Sequence, residues 1–396
     1  MGSPGSVSAE RFVGFATEGR RDLADAERPA EPDRWARLVL GEGWEGDPNE
    51  VGGPRAWAPL HYVCHSVYRP VALARELLER GADPNAFFAN EYGPMSALFG
   101  AAGVLHDAEL TRLLLEHGAD PNGEPQFGDA LYHSVESPDP ACCAALLEGG
   151  ARPQGSNALA HALDYDRPEH VRLLLAAGAV PDGGDLVHAV RRGRSAAAIE
   201  LLIEHGAPLD ARGGEWSTPK AEYRTAYQNA LLRNRADVME VLAAAGASTD
   251  CTEEDRAVAA VARGERAELP AKLDPDQEEV LAESVLHDGN VDLVVELLGL
   301  DRVLHNGGGP PGTLLQMAAW VGNAGLVARL LALGADPVAG ADADFSTPLA
   351  WCVHGSNGDA VAVAELLLAA GAELEPRFAD EARDPLHAFL VAQRSK

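Results

Sequence analysis

Three histidines recur along the middle of the chain, and each is accompanied by other polar or aromatic side chains. The set comprises His133, His161, His188, Asp164, Tyr165, Arg191 and Arg192. A histidine can act as a general base near neutral pH, and an arginine can bind a carboxylate or a phosphate. These residues therefore predict either a binding surface or a catalytic pocket. The reaction in such a pocket could be an isomerisation, a dehydration or a hydrolysis, and the sequence selects none of them.

The segments that carry these histidines belong to an internal repeat. Gly-Ala-Asp-Pro-Asn occurs at Gly81–Asn85 and at Gly118–Asn122, and Gly-Ala-Asp-Pro occurs at Gly334–Pro337. Looser copies of this signature begin at Gly150, Gly178, Gly206, Gly246 and Gly371. Most successive copies are 28 to 40 residues apart, and one interval is 88 residues long. The long interval predicts two further repeats that lack the signature.

Each repeat predicts two helices. A leucine-rich stretch such as Leu173–Leu175 precedes the glycine and predicts the second helix of the unit. The glycine supplies the left-handed residue that ends this helix, and the proline prevents its continuation. Upstream, a leucine followed at +3 and +4 by small or apolar residues predicts the first helix, as in Leu159-Ala-His-Ala162-Leu163. Small residues at this spacing let neighbouring helices approach closely.

This pattern resembles that of the ankyrin-repeat family. Ala58-Pro59-Leu60-His61 and Thr347-Pro348-Leu349-Ala350 are similar to the family's Thr-Pro-Leu-His. The resemblance covers about nine-tenths of the chain and implies an all-α ankyrin-repeat solenoid of about eleven helix-turn-helix units with helical caps. It implies no particular reaction, because the family shares a scaffold rather than an activity.

The repeat also predicts how the chain is divided. We expect an irregular helical N-terminal cap over residues 1–56, a first block of ankyrin repeats over 57–250, degenerate ankyrin repeats over 251–305, and further repeats with a C-terminal cap over 306–396. Trp35, Trp44 and Trp57 are expected to close the N-terminal cap. Polar capping segments oppose end-to-end stacking of such arrays, so we expect a monomer.

Helical periodicity predicts which side chains of the first helices face a partner. If the first-helix leucine is position zero, positions 0, +3, +4 and +7 face the stacked core, and +2, +5 and +6 form the opposite stripe. Position +2 holds, in order, Tyr62, Gly100, His133, His161, His188, Asn229, Met317 and Trp351. Positions +5 and +6 supply Asp164, Tyr165, Arg191 and Arg192 in the central repeats. The stripe is thus expected to be polar and aromatic there.

An enlarged loop over 212–224 follows these repeats and contains Trp216, Lys220 and Tyr223. Insertions within single repeats usually lie on the binding face. The full set of expected binding residues is therefore His133, His161, His188, Tyr165, Asp164, Arg191, Arg192, Trp216, Tyr223 and Asn229.

The histidines also have a purely structural interpretation. Histidine is frequent in the first helix of ankyrin repeats as a turn-stabilising residue, and a shift of one residue in the alignment would give these three that role. A metal site is not expected, because neighbouring helices pack about 8–10 Å apart whereas a zinc–nitrogen bond is about 2.0–2.1 Å. No cofactor is expected either, since dinucleotide and nucleotide-binding fingerprints are missing.

Composition restricts the class of partner. The 396 residues include 32 Lys and Arg against 61 Asp and Glu, which gives a formal net charge of −29. This charge argues against nucleic acids and anionic membranes as partners. It favours a basic protein or peptide, whose approach it would accelerate. The N-terminus has no signal-peptide pattern and the five cysteines form no Cys-x-x-Cys pair, so we expect a cytoplasmic location.

Two functions from different classes remain open on the sequence alone. The leading hypothesis is a non-enzymatic interaction scaffold that binds a protein or peptide through an acidic concave groove. The alternative is an ankyrin-fold enzyme or small-molecule binding protein, with His133, His161 and His188 around a small polar or anionic ligand. A closed pocket with converging imidazoles would favour the alternative, and an open groove would favour the scaffold.

Overall fold

The structure is a computed structural model that describes residues 4–90, 93–123, 130–212, 223–305, 311–339, 347–355, 358–383 and 385–394. The chain divides into two compact units, Met1–Ala226 and Tyr227–Lys396. Both units consist of helix pairs stacked side by side, which confirms the predicted all-α ankyrin-repeat fold. The number of repeats and the block boundaries over 1–56, 57–250, 251–305 and 306–396 stay predictions.

The first unit begins with three helices and continues with helix pairs. The three helices are α1 (Pro4–Thr17), α2 (Arg21–Ala26) and α3 (Arg34–Leu40). The repeats contain α4 (Pro59–His65), α5 (Val71–Glu79), β1 (Phe87–Asn90), β2 (Gly93–Ser96), α6 (Ala97–Phe99) with a π-helical extension (Gly100–Val104), α7 (Ala108–Glu116), α8 (Ala130–Ser134), α9 (Ala141–Glu148), α10 (Ala158–Asp164), α11 (Pro168–Ala176), α12 (Gly183–Arg191) and α13 (Ala196–Glu204). The first helices α8, α10 and α12 contact one another in that order, so their side chains can form one surface.

The second unit starts close to the beginning of helix α14 and contains a long segment without a helix. Its elements are α14 (Ala226–Leu232), α15 (Ala236–Ala244), α16 (Glu253–Ala262), α17 (Pro275–Asp288), α18 (Val291–Leu298), β3 (Val303–Leu304), β4 (Gly312–Thr313), α19 (Leu314–Trp320), α20 (Ala324–Ala332), α21 (Pro348–His354), α22 (Ala360–Ala369), α23 (Pro376–Glu381) and α24 (Leu386–Arg394). Residues 263–274, all of which the structure describes, contain no helix. Helix α16 is therefore separated from α17 by a segment without a helix, and the two repeats expected in this interval stay a prediction.

The signature glycines end the second helices as the sequence predicts. The eight glycines of the signature have φ angles between 89° and 104°, in the left-handed region. At Gly118, the glycine N–H donates to Leu115 C=O at 3.0 Å, and the following Ala119 N–H donates to Leu114 C=O at 3.0 Å. These bonds satisfy carbonyls that the end of the helix would otherwise leave unpaired.

The asparagine of the signature joins one repeat to the next. Asn85 Nδ2 donates to Gly118 C=O at 2.9 Å, and Asn85 Oδ1 accepts from Asp120 N–H at 2.7 Å. Asn49 and Asn122 make the same two bonds to the following turn. Each asparagine therefore fixes the spacing of two successive turns, a role that the sequence analysis did not assign to it.

Two glycines after the first-helix leucine Leu98 allow close packing. A Cβ atom added to Gly100 would lie 2.4 Å from the ring of His65, and one added to Gly103 would lie 2.7 Å from His133 Cβ. The neighbouring first helix occupies this space. The π-helical extension that contains both glycines thus brings His133 into position.

The stripe predicted from periodicity is only partly at the surface. His133, His161 and His188 are half-buried, whereas Tyr62, Asn229, Met317 and Trp351 are buried. Other elements therefore cover position +2 at both ends of the stripe, although periodicity places it opposite the stacked core. Across the described part of the chain, no helix is long and apolar enough to cross a membrane.

Candidate functional site

Carboxylates lie between the three histidines of the central repeats. Glu136 Oε1 accepts from His133 Nδ1 at 2.8 Å and from His161 Nε2 at 3.3 Å. Asp164 Oδ1 accepts from His188 Nε2 at 2.9 Å, and its Oδ2 lies 3.9 Å from His161 Nδ1. We call these five residues the histidine–carboxylate row. It crosses three successive repeats without interruption.

The sequence contained the signal for both carboxylates but only one was recognised. Glu136 and Asp164 each lie five residues after the first-helix leucine, Leu131 or Leu159. This is position +5 of the predicted stripe. The position lies one helical turn beyond the histidine, so a carboxylate there reaches the histidine of its own repeat and that of the next. Asp164 was among the expected residues, and Glu136 was missed.

Two tyrosines extend the row with aromatic surface. Tyr132 stacks on the His161 ring with centroids 3.8 Å apart and planes 9° apart. Tyr165 packs edge-on against His161 at 5.0 Å and is 44% exposed. Burial, followed by the nearby charges of Asp164 and Glu136, raises the pKa of Tyr132, so its hydroxyl keeps its proton at pH 7.

Arginines balance the carboxylates at one end of the row. Arg192 Nε donates to Asp164 Oδ1 at 2.7 Å, and Arg194 Nη1 lies 2.9 Å from Asp166 Oδ1. Arg191 is exposed on the same turn of α12. At the other end, Arg167 Nη2 donates to the backbone C=O of Glu136 at 3.2 Å rather than to its carboxylate. The carboxylate of Asp164 therefore pairs with a guanidinium, whereas that of Glu136 accepts from two imidazoles.

Three further residues were expected at the binding surface, namely Tyr223, Asn229 and Trp216. Tyr223 is half-buried, and its backbone C=O accepts from Arg212 Nη1 at 2.9 Å. Asn229 is 1% exposed, and its Oδ1 accepts from Arg233 Nη1 at 3.1 Å. Trp216 lies outside the described residues.

The row is a hydrogen-bonded surface. Within the ranges that the structure describes, no group of three or more His, Cys, Asp or Glu side chains could hold a metal ion. Both nitrogens of His161 face carboxylates, at 3.3 Å and 3.9 Å. The distances in the row suit hydrogen bonds and ion pairs.

Several cavities lie away from the row. One of about 350 Å³ is lined by Trp57, Phe87, Phe88 and their neighbours, and one of about 470 Å³ is lined by Arg34, Trp44 and their neighbours. Neither is lined by residues of the row. A smaller cavity lies beside Gln154 and Val180, at the turns rather than at the histidines.

Solved structures that are similar to this chain are ankyrin repeat domains. The ankyrin repeat domain of human ASB11 is 22% identical over 62% of this chain and 99% of that domain, with a TM-score of 0.42. That of Bcl-3, a member of the IkappaB protein family, is 25% identical over 48% of this chain and 87% of its own length, with a TM-score of 0.38. An ankyrin repeat domain from Acinetobacter baumannii AYE is 23% identical over 48% of this chain and 98% of its own length, with a TM-score of 0.40. No protein-family model and no curated protein matches the chain.

Proposed function

We propose that the chain is an interaction scaffold that binds a basic segment of a protein or peptide along its first helices. The binding surface is the histidine–carboxylate row of α8, α10 and α12. The observation that carries this proposal is the continuity of the row, because polar side chains from three repeats are joined at one surface. A partner lying across it would contact several repeats at once, as repeat scaffolds allow.

Charge supports a basic partner. The net charge of −29 attracts cations over long distances. At short range, the carboxylate of Glu136 is bound by two imidazoles, whereas Asp164 is also bound by Arg192. An incoming cation would therefore compete with fewer charges at Glu136. We expect the basic segment to lie nearest to that residue.

Aromatic side chains add contact area to this surface. Tyr132 and Tyr165 flank His161 on two sides, and Tyr165 is largely at the surface. Tyrosine provides a large contact area at a low cost in conformational entropy and binds cations through its ring. Together with the carboxylates, these rings suit lysine and arginine side chains.

A selection of random peptides on the immobilised full chain tests the proposal. Basic peptides should be enriched. In a Glu136→Gln and Asp164→Asn double variant, their affinity should fall about ten-fold, because charged contacts at an interface are lost. Each single variant should then be measured, and Glu136→Gln should have the larger effect.

The matched control is the double variant Glu148→Gln and Glu169→Gln. It removes the same charge from exposed positions on the second helices α9 and α11. Equal losses in the two double variants would mean that only the net charge matters and would contradict a site at the row. Enrichment of acidic or uncharged peptides would contradict the basic partner.

A small polar or anionic ligand at the end of the row is a second candidate. It is favoured by the exposed Arg191 and Arg192 beside His188. Titration with inorganic phosphate should then shift the NMR signals of α12, and Arg191→Gln should abolish the shift. An unchanged spectrum at millimolar phosphate would leave the scaffold as the better description.

A further inference from the structure

The cavity of about 350 Å³ at the start of the repeats has the features of a side-chain binding site. It lies between the first turn of α4 and the strand β1, and Trp57, Phe87 and Phe88 form much of its lining. Its volume falls in the range of ligand-binding clefts, which is about 300–1,000 Å³. It contains none of the residues of the histidine–carboxylate row.

The wall of the cavity is held in place by neighbouring rings. Trp57 and Phe88 have centroids 4.1 Å apart, and Trp57 also packs against Tyr62 at 5.4 Å and His65 at 5.0 Å. The hydroxyl of Tyr62 donates to Gly52 C=O at 2.9 Å and accepts from a backbone N–H at 2.8 Å. The loop that carries Trp57 is therefore fixed before any ligand arrives, which lowers the entropy cost of binding.

The rim of the cavity exposes apolar side chains to water. Phe87 is 49% exposed and Val51 is 69% exposed, and both line the cavity. Large apolar side chains exposed next to each other usually mark an interaction site. Here both belong to the lining of one cavity.

The cavity carries one negative charge. Asp83 is exposed at its edge, and the other lining residues are apolar or uncharged. His61 does not offset this charge: burial lowers the pKa of its imidazole, so the ring is neutral at pH 7. Its Nε2 donates to Ala86 C=O at 2.9 Å. Aromatic faces beside a carboxylate are suited to a cation on an apolar stem.

We propose that this cavity binds an arginine side chain of the basic partner. The proposal rests on the proposed function and adds an anchor to it, away from the row. A guanidinium is planar, stacks on aromatic rings and pairs with a carboxylate through two N–H groups. In this arrangement it lies against Trp57 and Phe87 and donates to Asp83. An anion would be repelled.

Four capped pentapeptides test this assignment, namely Gly-Ser-Xaa-Ser-Gly with Arg, Lys, Leu or Glu at the centre. NMR titration of the full chain should shift the amide signals of Asp83 and Phe88 with the arginine peptide most strongly and with the glutamate peptide least. Asp83→Asn should weaken binding of the arginine peptide about five-fold, the scale of an exposed ion pair. Phe87→Ala should weaken it without changing the thermal unfolding midpoint.

Asp120→Asn is the matched control. Asp83 and Asp120 occupy the same position of successive turns, and each accepts through Oδ1 from an asparagine N–H at 2.9 Å. Asp120 does not line the cavity. Equal losses in the two variants, or equal binding of the arginine and glutamate peptides, would overturn the proposal.

The basic peptides selected on the full chain separate this inference from the proposed function. If they bind Asp83→Asn normally but lose affinity in Glu136→Gln, the cavity assignment is wrong and the scaffold stands. If Asp83→Asn weakens them and Glu136→Gln does not, the cavity is supported and the row is not the binding surface.

Discussion

Helix α10 of the first unit and helices α19 and α21 of the second use the same repeat position in opposite ways. In α10, position +2 is His161, which is half-buried in the histidine–carboxylate row. In α19 and α21 of the second unit it is Met317 and Trp351, which are buried. Trp351 packs against Trp320 at 5.9 Å and closely against Gly312 of β4. The position is thus partly at the surface in α10 and in the core in α19 and α21.

A repeat position therefore does not by itself define a binding face. Strand β4 and Trp320 cover Trp351 in the second unit, whereas the row in the first unit is covered only in part. We therefore expect substitutions in the second unit to affect folding, and substitutions in the row to affect binding.

The largest expected effect is that of Trp351→Ala. Removing a buried tryptophan should lower the free energy of unfolding by about 3–5 kcal/mol. His161→Ala removes a partly exposed ring and should cost only about 1 kcal/mol. Urea unfolding followed by circular dichroism measures both. If His161→Ala were as costly as Trp351→Ala, the row would be part of the core rather than a surface.

The second effect concerns acid stability in the first unit. Burial lowers the pKa of His65 to about 3 from 6.5, and the hydrogen bond to His61 C=O, which acts in the opposite direction, offsets only part of this. The unfolded chain therefore binds a proton that the folded chain does not, and stability that is complete above pH 6.5 is lost as the pH falls towards 3.

In His65→Gln, which keeps a donor for His61 C=O, this loss should be smaller by up to about 1.4 kcal/mol per pH unit. Unfolding free energies measured between pH 4 and pH 7 provide the comparison. Parallel pH dependences of the wild type and the variant would show that His65 titrates normally in the folded chain.

The third effect tests the asparagine that joins successive turns. Asn85→Ala removes two bonds to the next turn and should cost about 1–2 kcal/mol. In the second unit the corresponding residue of the signature at Gly334 is Val338. Val338 is half-buried, and Val338→Ala should lower the free energy of unfolding by less than about 1 kcal/mol. Equal costs in thermal unfolding would mean that the bonds of Asn85 contribute no stability.

The smallest expected effect on stability is at the N-cap of the first helix of a repeat, in α4 and α21. Thr347 caps α21 by accepting from Ala350 N–H at 3.2 Å, whereas Ala58 provides no side-chain cap for α4. Ala58→Thr should therefore raise the free energy of unfolding by about 1 kcal/mol, and Thr347→Ala should lower it by a similar amount. A destabilised Ala58→Thr variant would show that α4 has no space for a threonine cap.

The sequence predicted much of this fold because its signature has local physical consequences. The glycine of the signature ends a helix through its own backbone conformation, as at Gly118, and the leucines before it mark the buried side of that helix. The covering of Trp351 was not predictable, because it depends on contacts with Gly312 and Trp320, which are distant along the chain. The hairpin of β1 and β2 is local, but the helical repeat pattern did not indicate it. The row was half predicted: its histidines follow from periodicity, but the bonds of Glu136 to two repeats become visible only in the structure.

Hydrogen exchange with a selected basic peptide tests the central comparison most directly. The account predicts that the peptide slows exchange in α8, α10 and α12 and leaves α19 and α21 unchanged. Glu136→Gln should reduce this protection, and Glu148→Gln should not. Protection of α19 and α21 without protection of α10 would contradict the account, because the covered stripe would then be the binding surface.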